Sequence, residues 1–179
     1  MICSGTSSRG PHSNFAGAAF FLAVSNSRAG NRYSWGRERV TDIHGGAGPW
    51  AVAGYRMGLR ALKELDLLSP TPHTSVNRFA VEVIHKSPKE IQFTSIVDGL
   101  HAGTGASLGK MNLKLVEVGS VTEMVSLVIH RESGKQVEFR VLGTFLEEYR
   151  DLPREELLAA GQRVLRLADE EIFEVTVTP

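Results

Sequence analysis

The hydrophobic period changes repeatedly along this chain, and the order of those changes limits the folds open to it. After Pro49, Val52, Tyr55, Leu59, Leu62 and Leu65 recur at spacings of three and four, while Arg56, Arg60 and Lys63 take the opposite face. That spacing predicts an amphipathic helix. Pro49 suits its first turn, where a missing N–H is no loss, and Pro70 and Pro72 mark its stop. The period then drops to two: Phe79, Val81 and Val83 alternate with Arg78, Ala80 and Glu82, a half-buried strand ending at His85. Ser87-Pro88-Lys89-Glu90 has the capping-box form and predicts a second helix from Pro88 to about Ala102.

A glycine-rich turn, 103–110, leads into a strand from Asn112 to Val118. Val121–His130 and Gln136–Leu142 alternate on either side of Glu132-Ser133-Gly134-Lys135, which predicts a hairpin. Pro153 opens a last helix with Glu155 and Glu156 in its first turn, where they favour the dipole, and Ile172–Val177 closes as a strand. Helical and strand patterns mix without strict βαβ alternation. The expected class is therefore α+β: a mainly antiparallel sheet packed against about three helices, in one domain.

Residues 1–38 differ in texture, with Ser, Gly, Asn and Arg dominant, and read as a partly irregular N-terminal extension ahead of a domain over 39–179. Within the extension, the apolar run 15–24 has the length of a signal-peptide core but no clean cleavage site follows. A cytoplasmic location is the expectation, with export the alternative. The 20 basic residues balance the 20 acidic ones, so no charge excess recruits nucleic acid or an anionic membrane. The one cysteine, Cys3, excludes an intramolecular disulfide and a cysteine-held zinc ribbon or iron–sulfur cluster within one chain.

Two places could carry chemistry. In Ile43-His44-Gly45-Gly46-Ala47-Gly48-Pro49-Trp50, glycines open the backbone to a ligand, the helix start could face an anion, and His44 titrates near neutrality. A tight packed turn is the alternative. In the second helix, Thr94, Asp98 and His101 stand four and three residues apart and share a face. A carboxylate beside a histidine can orient the ring, hold its proton or complete a metal shell; a solvated polar face would look the same. His85, on the face of Val81 and Val83, reads as a capped core histidine. The stretch Thr104 to Lys110 fails as a phosphate loop, since Thr104 stands where Gly is needed and Met111 where Ser or Thr is. No serine-centred nucleophile elbow is present.

Two blocks carry a family likeness. His44-Gly45, Pro49 and Ala53-Gly54-Tyr55-Arg56-Met57-Gly58 resemble a pattern His-Gly-His-x-Cys-Pro-Gly followed by Gly-Tyr-Arg. Asp98-Gly99-Leu100-His101, Thr104-Gly105-Ala106-Ser107-Leu108-Gly109-Lys110 and Asn112 resemble the second block of the same family. That family is the FmdE-like proteins, associated with formylmethanofuran dehydrogenase. The resemblance implies an α+β core, a homodimer, a pocket where the blocks converge, and a link to one-carbon metabolism. It departs at the ligand positions: Gly46 replaces the second His, Gly48 and Ala106 replace cysteines, and a helix and strand are expected where many members have a cysteine-rich zinc module. The site expected from this is His44, Asp98 and His101 as catalytic groups, with Gly45, Gly46, Gly48, Thr104, Gly105 and Lys110 binding a small ligand, Lys110 as the anion partner. A divalent metal on His44 and His101, helped by Asp98, is the cofactor consistent with those side chains. Whether the chain is an enzyme stays open. The alternative is a non-catalytic dimeric accessory or structural subunit that has lost the ancestral metal site.

Overall fold

The computed structural model describes residues 35–69 and 77–179; the apolar run 15–24 lies outside them. Ten elements follow in chain order: α1 (35–44), α2 (Pro49–Glu64), β1 (Val81–Ser87), α3 (Ile91–Thr104), β2 (Leu113–Glu117), β3 (Val125–His130), β4 (Gln136–Val141), α4 (Gly143–Tyr149), α5 (Leu157–Val164) and β5 (Phe173–Thr178). The strands form one sheet in the order β2-β1-β3-β4-β5. Every neighbouring pair is antiparallel except β1 and β2, which α3 connects in parallel. The class is α+β. No helix among the described residues is long and apolar enough to cross a membrane.

Strand register builds the covered face of the sheet. Val83, Val128 and Val137 stand opposite one another across β1, β3 and β4, and the next inward row is His85, Ser126 and Phe139. All six are buried. Phe139 meets Phe173 of β5 edge to face, with ring centroids 5.1 Å apart. His85 is the capped core histidine expected from the sequence. Its Nε2–H donates to the Phe93 carbonyl at 3.2 Å, so Nδ1 accepts from the Ser126 hydroxyl at 2.8 Å. Burial pushes its imidazole down to about 4, and the hydrogen bond to Phe93 only partly offsets this.

The amphipathic stripe understates how central α2 is. Trp50, Ala51, Ala53, Met57 and Ala61 are buried along with Val52, Tyr55 and Leu62, while Leu59 is only partly covered. The helix is flanked by α3 on one side and α5 on another. Its contact with α3 is backbone against backbone. A Cβ on Gly54 would overlap the Ile96 carbonyl, one on Gly99 the Ala51 carbonyl, and one on Gly58 would stand 3.0 Å from the Gly103 Cα. Four glycines one turn apart on two helices thus set the separation of α2 and α3. On its far side, Arg56 Nη1–H donates to the Val164 carbonyl at 3.0 Å and Nη2–H to Asp169 Oδ1 at 2.6 Å. The guanidinium thereby ties α2 to the end of α5.

Several expectations are corrected. Phe79 is exposed and precedes the strand, because Asn77 holds a turn: its carbonyl accepts the Ala80 N–H and its side chain accepts the Phe79 N–H. The capping box at Ser87 does not form. Ser87 ends β1 with its hydroxyl buried and unpartnered, and α3 starts at Ile91 after Glu90 without a side-chain cap. Ser120–Glu123 makes a capped 3-10 turn, so β3 starts at Val125. The helix after Pro153 opens as 3-10 over Arg154–Glu156 before α5. Helices α1 and α4 have no counterpart in the sequence pattern. Seven-residue α4 is held by tertiary contact: Phe145 and Tyr149 are buried, and Trp50 Nε1–H donates to the Tyr149 carbonyl at 2.9 Å.

Candidate functional site

Helix α1 lies along α3, fixed at two points. At one, Arg39 Nε–H donates to the Ala102 carbonyl at 2.7 Å. At the other, His44 Nδ1 meets Asp98 Oδ2 at 2.8 Å. Val40 between them is fully buried, and Gly36 sits under the Tyr55 ring, where a Cβ would come 2.7 Å from Cε1. His44 is the last residue of α1 rather than part of the glycine loop. Gly45 ends the helix at φ 84°, its N–H donating to the Thr41 carbonyl at 2.8 Å. That left-handed turn is what glycine permits at low cost.

The pair is half-exposed, with side-chain accessibilities of 27% for His44 and 44% for Asp98. A carboxylate oxygen opposite Nδ1 fixes the proton there, which leaves the Nε2 lone pair to accept one. The ring of His101, three residues after Asp98, makes no hydrogen bond among the described residues. Its pKa is lowered, first by burial and then by the charge of Lys110; Arg39 and Arg78 act in the same direction, and Asp98 opposes them. Thr94 shares the face, but its hydroxyl donates to the Ile91 carbonyl of its own helix at 3.2 Å.

The remaining expected residues mostly shape backbone. Gly46 and Gly48 have Leu158 and Leu157 of α5 as their nearest neighbours, and the Ala47 carbonyl lies against Gly161. The loop 45–48 is therefore covered on that side by packing. Thr104 is buried, and its hydroxyl donates to the Leu100 carbonyl at 2.7 Å while accepting the Ala106 N–H at 3.1 Å. Gly105 closes α3 at φ 75°. Lys110 Nζ donates to Ser107 Oγ at 3.0 Å. Asn112 braces this block. Its Oδ1 accepts the Ser107 N–H, and its Nδ2 donates to the Arg78 and Val81 carbonyls at 2.8 and 2.9 Å. Sequence reasoning quoted Asn112 in the second block without a role and missed Arg39 and Arg78, because their partners are distant in the chain and no local pattern joins them.

A family model described as "FmdE, Molybdenum formylmethanofuran dehydrogenase operon" matches residues 43–174, most of the chain. The chain belongs to the FmdE family. No curated protein was found to match it. The match opens one residue before His44 and takes in Asp98 and the Asn112 brace, so the His44–Asp98 pair belongs to this chain's FmdE domain. For the metal that the family resemblance implies, the described residues offer His44, Asp98 and His101 but no gathered set of three donors. Among the described residues no three His, Cys, Asp or Glu side chains come together in a way that could hold an ion, as a zinc centre would require. Glycine and alanine at 46, 48 and 106 supply none.

Proposed function

We propose that this FmdE domain binds a small anionic or carbonyl-bearing molecule at the seam of α1 and α3, with His44 exchanging a proton with it. The 2.8 Å contact between His44 Nδ1 and Asp98 Oδ2 carries the reading, since it joins residues 54 apart in sequence across two helices. Asp98 orients the ring and holds the Nδ1 proton; Nε2 is the atom that takes or gives the proton. His101 stays neutral over a wider pH range than a free histidine, because burial and neighbouring cations disfavour its charged form. It is suited to donate or accept a hydrogen bond to the ligand. The test is a nuclear magnetic resonance screen of small carboxylic acids, aldehydes and ketones, read at the imidazole signals. Binders should shift the His44 and His101 signals together, and Asp98→Asn should remove the fixed Nδ1–H tautomer of His44. If no compound moves either histidine, the reading fails.

A second reading is a dimeric accessory protein without catalysis. It is supported by β2, an edge strand with Leu115 and Val116 exposed, beside exposed Leu108 and Met111. An apolar edge that no other described strand pairs favours pairing with a second copy. Sedimentation equilibrium of the wild type and of Leu115→Lys checks it; a monomeric wild type removes the reading.

A further inference from the structure

The end of α3 gathers more positive charge than the fold uses. Arg39 reaches it from α1, donating Nε–H to the Ala102 carbonyl and laying its guanidinium over the Trp35 ring, 5.1 Å from the centroid, with no hydrogen bond from Nη1 or Nη2 among the described residues. Arg78 reaches it from the turn before β1, its stem lying over Gly105 so closely that a Cβ there would be 2.8 Å from Cδ. The same turn is held by Asn112, which takes the Arg78 carbonyl at 2.8 Å. Lys110 comes from the loop after α3, with Ser107 as its hydrogen-bond partner. None of the three cations has a carboxylate within ion-pair distance among the described residues, and the Arg78 side chain makes no hydrogen bond there. Their mutual repulsion is felt: Arg39 is lowered first by burial and next by Arg78, and His101 by Lys110 after burial.

The acids that bear on this cluster are Asp42, acting on Arg39, and Asp98, acting on His101. Asp98 is engaged by His44. The negative end of the α3 dipole offsets some repulsion, but only Arg39 bonds one of its carbonyls. Like charges held together in this way are destabilising unless an anion joins them. A guanidinium fork, an ammonium and a half-buried imidazole are the donors that a carboxylate or phosphate takes best.

We propose that Arg39, Arg78 and Lys110, with His101, form an oxyanion site at the C-terminal end of α3 that holds the phosphate or carboxylate group of the ligand. The proposal deepens the reading of the α1–α3 seam, placing the charged end of the molecule beside Lys110 and its reacting end toward His44. Inorganic phosphate and acetate are the probes. Each is titrated into the full chain at constant ionic strength against sodium chloride, and the His101 ring signals are followed.

Saturable shifts with phosphate or acetate, absent with chloride, are expected, and which probe binds more tightly identifies the group. Arg78→Gln and Lys110→Gln should each weaken binding by about tenfold, the loss of one charge-assisted hydrogen bond. Arg78→Lys should keep most of it. Both glutamine variants leave the backbone hydrogen bonds of the helices intact, and Lys110→Gln gives up only the bond to Ser107, so a folded protein is expected for the measurement. An equal response to chloride, or unchanged binding in the double variant, overturns the proposal. His44→Ala separates the two readings: it should leave phosphate or acetate binding intact while abolishing proton exchange at the seam.

Discussion

Replacing Gly99 by alanine tests whether α2 and α3 are held at backbone contact. In an ordinary helix interior the change stabilises by about 1 kcal/mol through lower chain entropy and better helix propensity. Here the new Cβ would overlap the Ala51 carbonyl oxygen and stand 2.6 Å from the Tyr55 nitrogen. Neither atom can rotate away as a side chain could, so the helices must part. Overpacking of a dense core costs about 1–3 kcal/mol, more where backbone must move. With the propensity gain set against the upper end of that range, a net loss of about 2 kcal/mol is expected. Urea unfolding should show a lower midpoint at unchanged slope. Gly54→Ala strains the same interface through the Ile96 carbonyl. The double variant should therefore cost less than the two singles together, since helices already parted accept the second methyl. Gly143→Ala is the control: nothing lies within 4 Å of its Cβ position, and it opens α4. It should be neutral or stabilising by about 0.5 kcal/mol. Asp98 precedes Gly99, so parting the helices should also loosen its bond to His44. A Gly99→Ala protein as stable as the wild type would refute backbone contact as the basis of this packing.

His85 ties stability to pH. Its imidazole is held at about 4 in the folded chain against an ordinary value of about 6.5, so between those values the unfolded chain binds the extra proton. Stability is therefore fully present above pH 6.5 and is lost as pH falls toward 4, by about 3 kcal/mol in all. Urea midpoints across that window, compared with His85→Gln, check it; equal pH slopes in the two proteins would remove His85 as the cause. Arg56→Lys should lower stability by about 2 kcal/mol through loss of the fork that joins α5 and Asp169. A double-mutant cycle with Asp169→Asn should return a clear coupling, and a coupling near zero would mean that water already replaces the contact.

Much of the site's vocabulary was legible in the sequence. Spacing alone puts Asp98 and His101 on one helix face, whereas Gly45, read as one of three loop glycines facing a ligand, ends α1 in the left-handed region. The two blocks pointed to the family that the model match establishes. The roles of Thr104 and Gly105 look different once α3 is seen to end on them, because a hydroxyl that bonds its own helix leaves the same trace in sequence as one that faces a ligand. The capping box at Ser87 was a matching string whose hydroxyl turned inward when β1 ran past His85 to Ser87. Phe79 matched the strand period, yet the Asn77 turn leaves it outside.

The sequence by itself determined the α+β class, the helix after Pro49, the hairpin and the non-cysteine residues at 48 and 106, because periodicity and residue type are local properties. Tertiary structure alone decided that His44 meets Asp98 and that Arg39, Arg78 and Lys110 share one helix end. Those contacts depend on the separation of α1, α2 and α3, which is set where glycine backbones touch. No spacing along one segment encodes a distance between two.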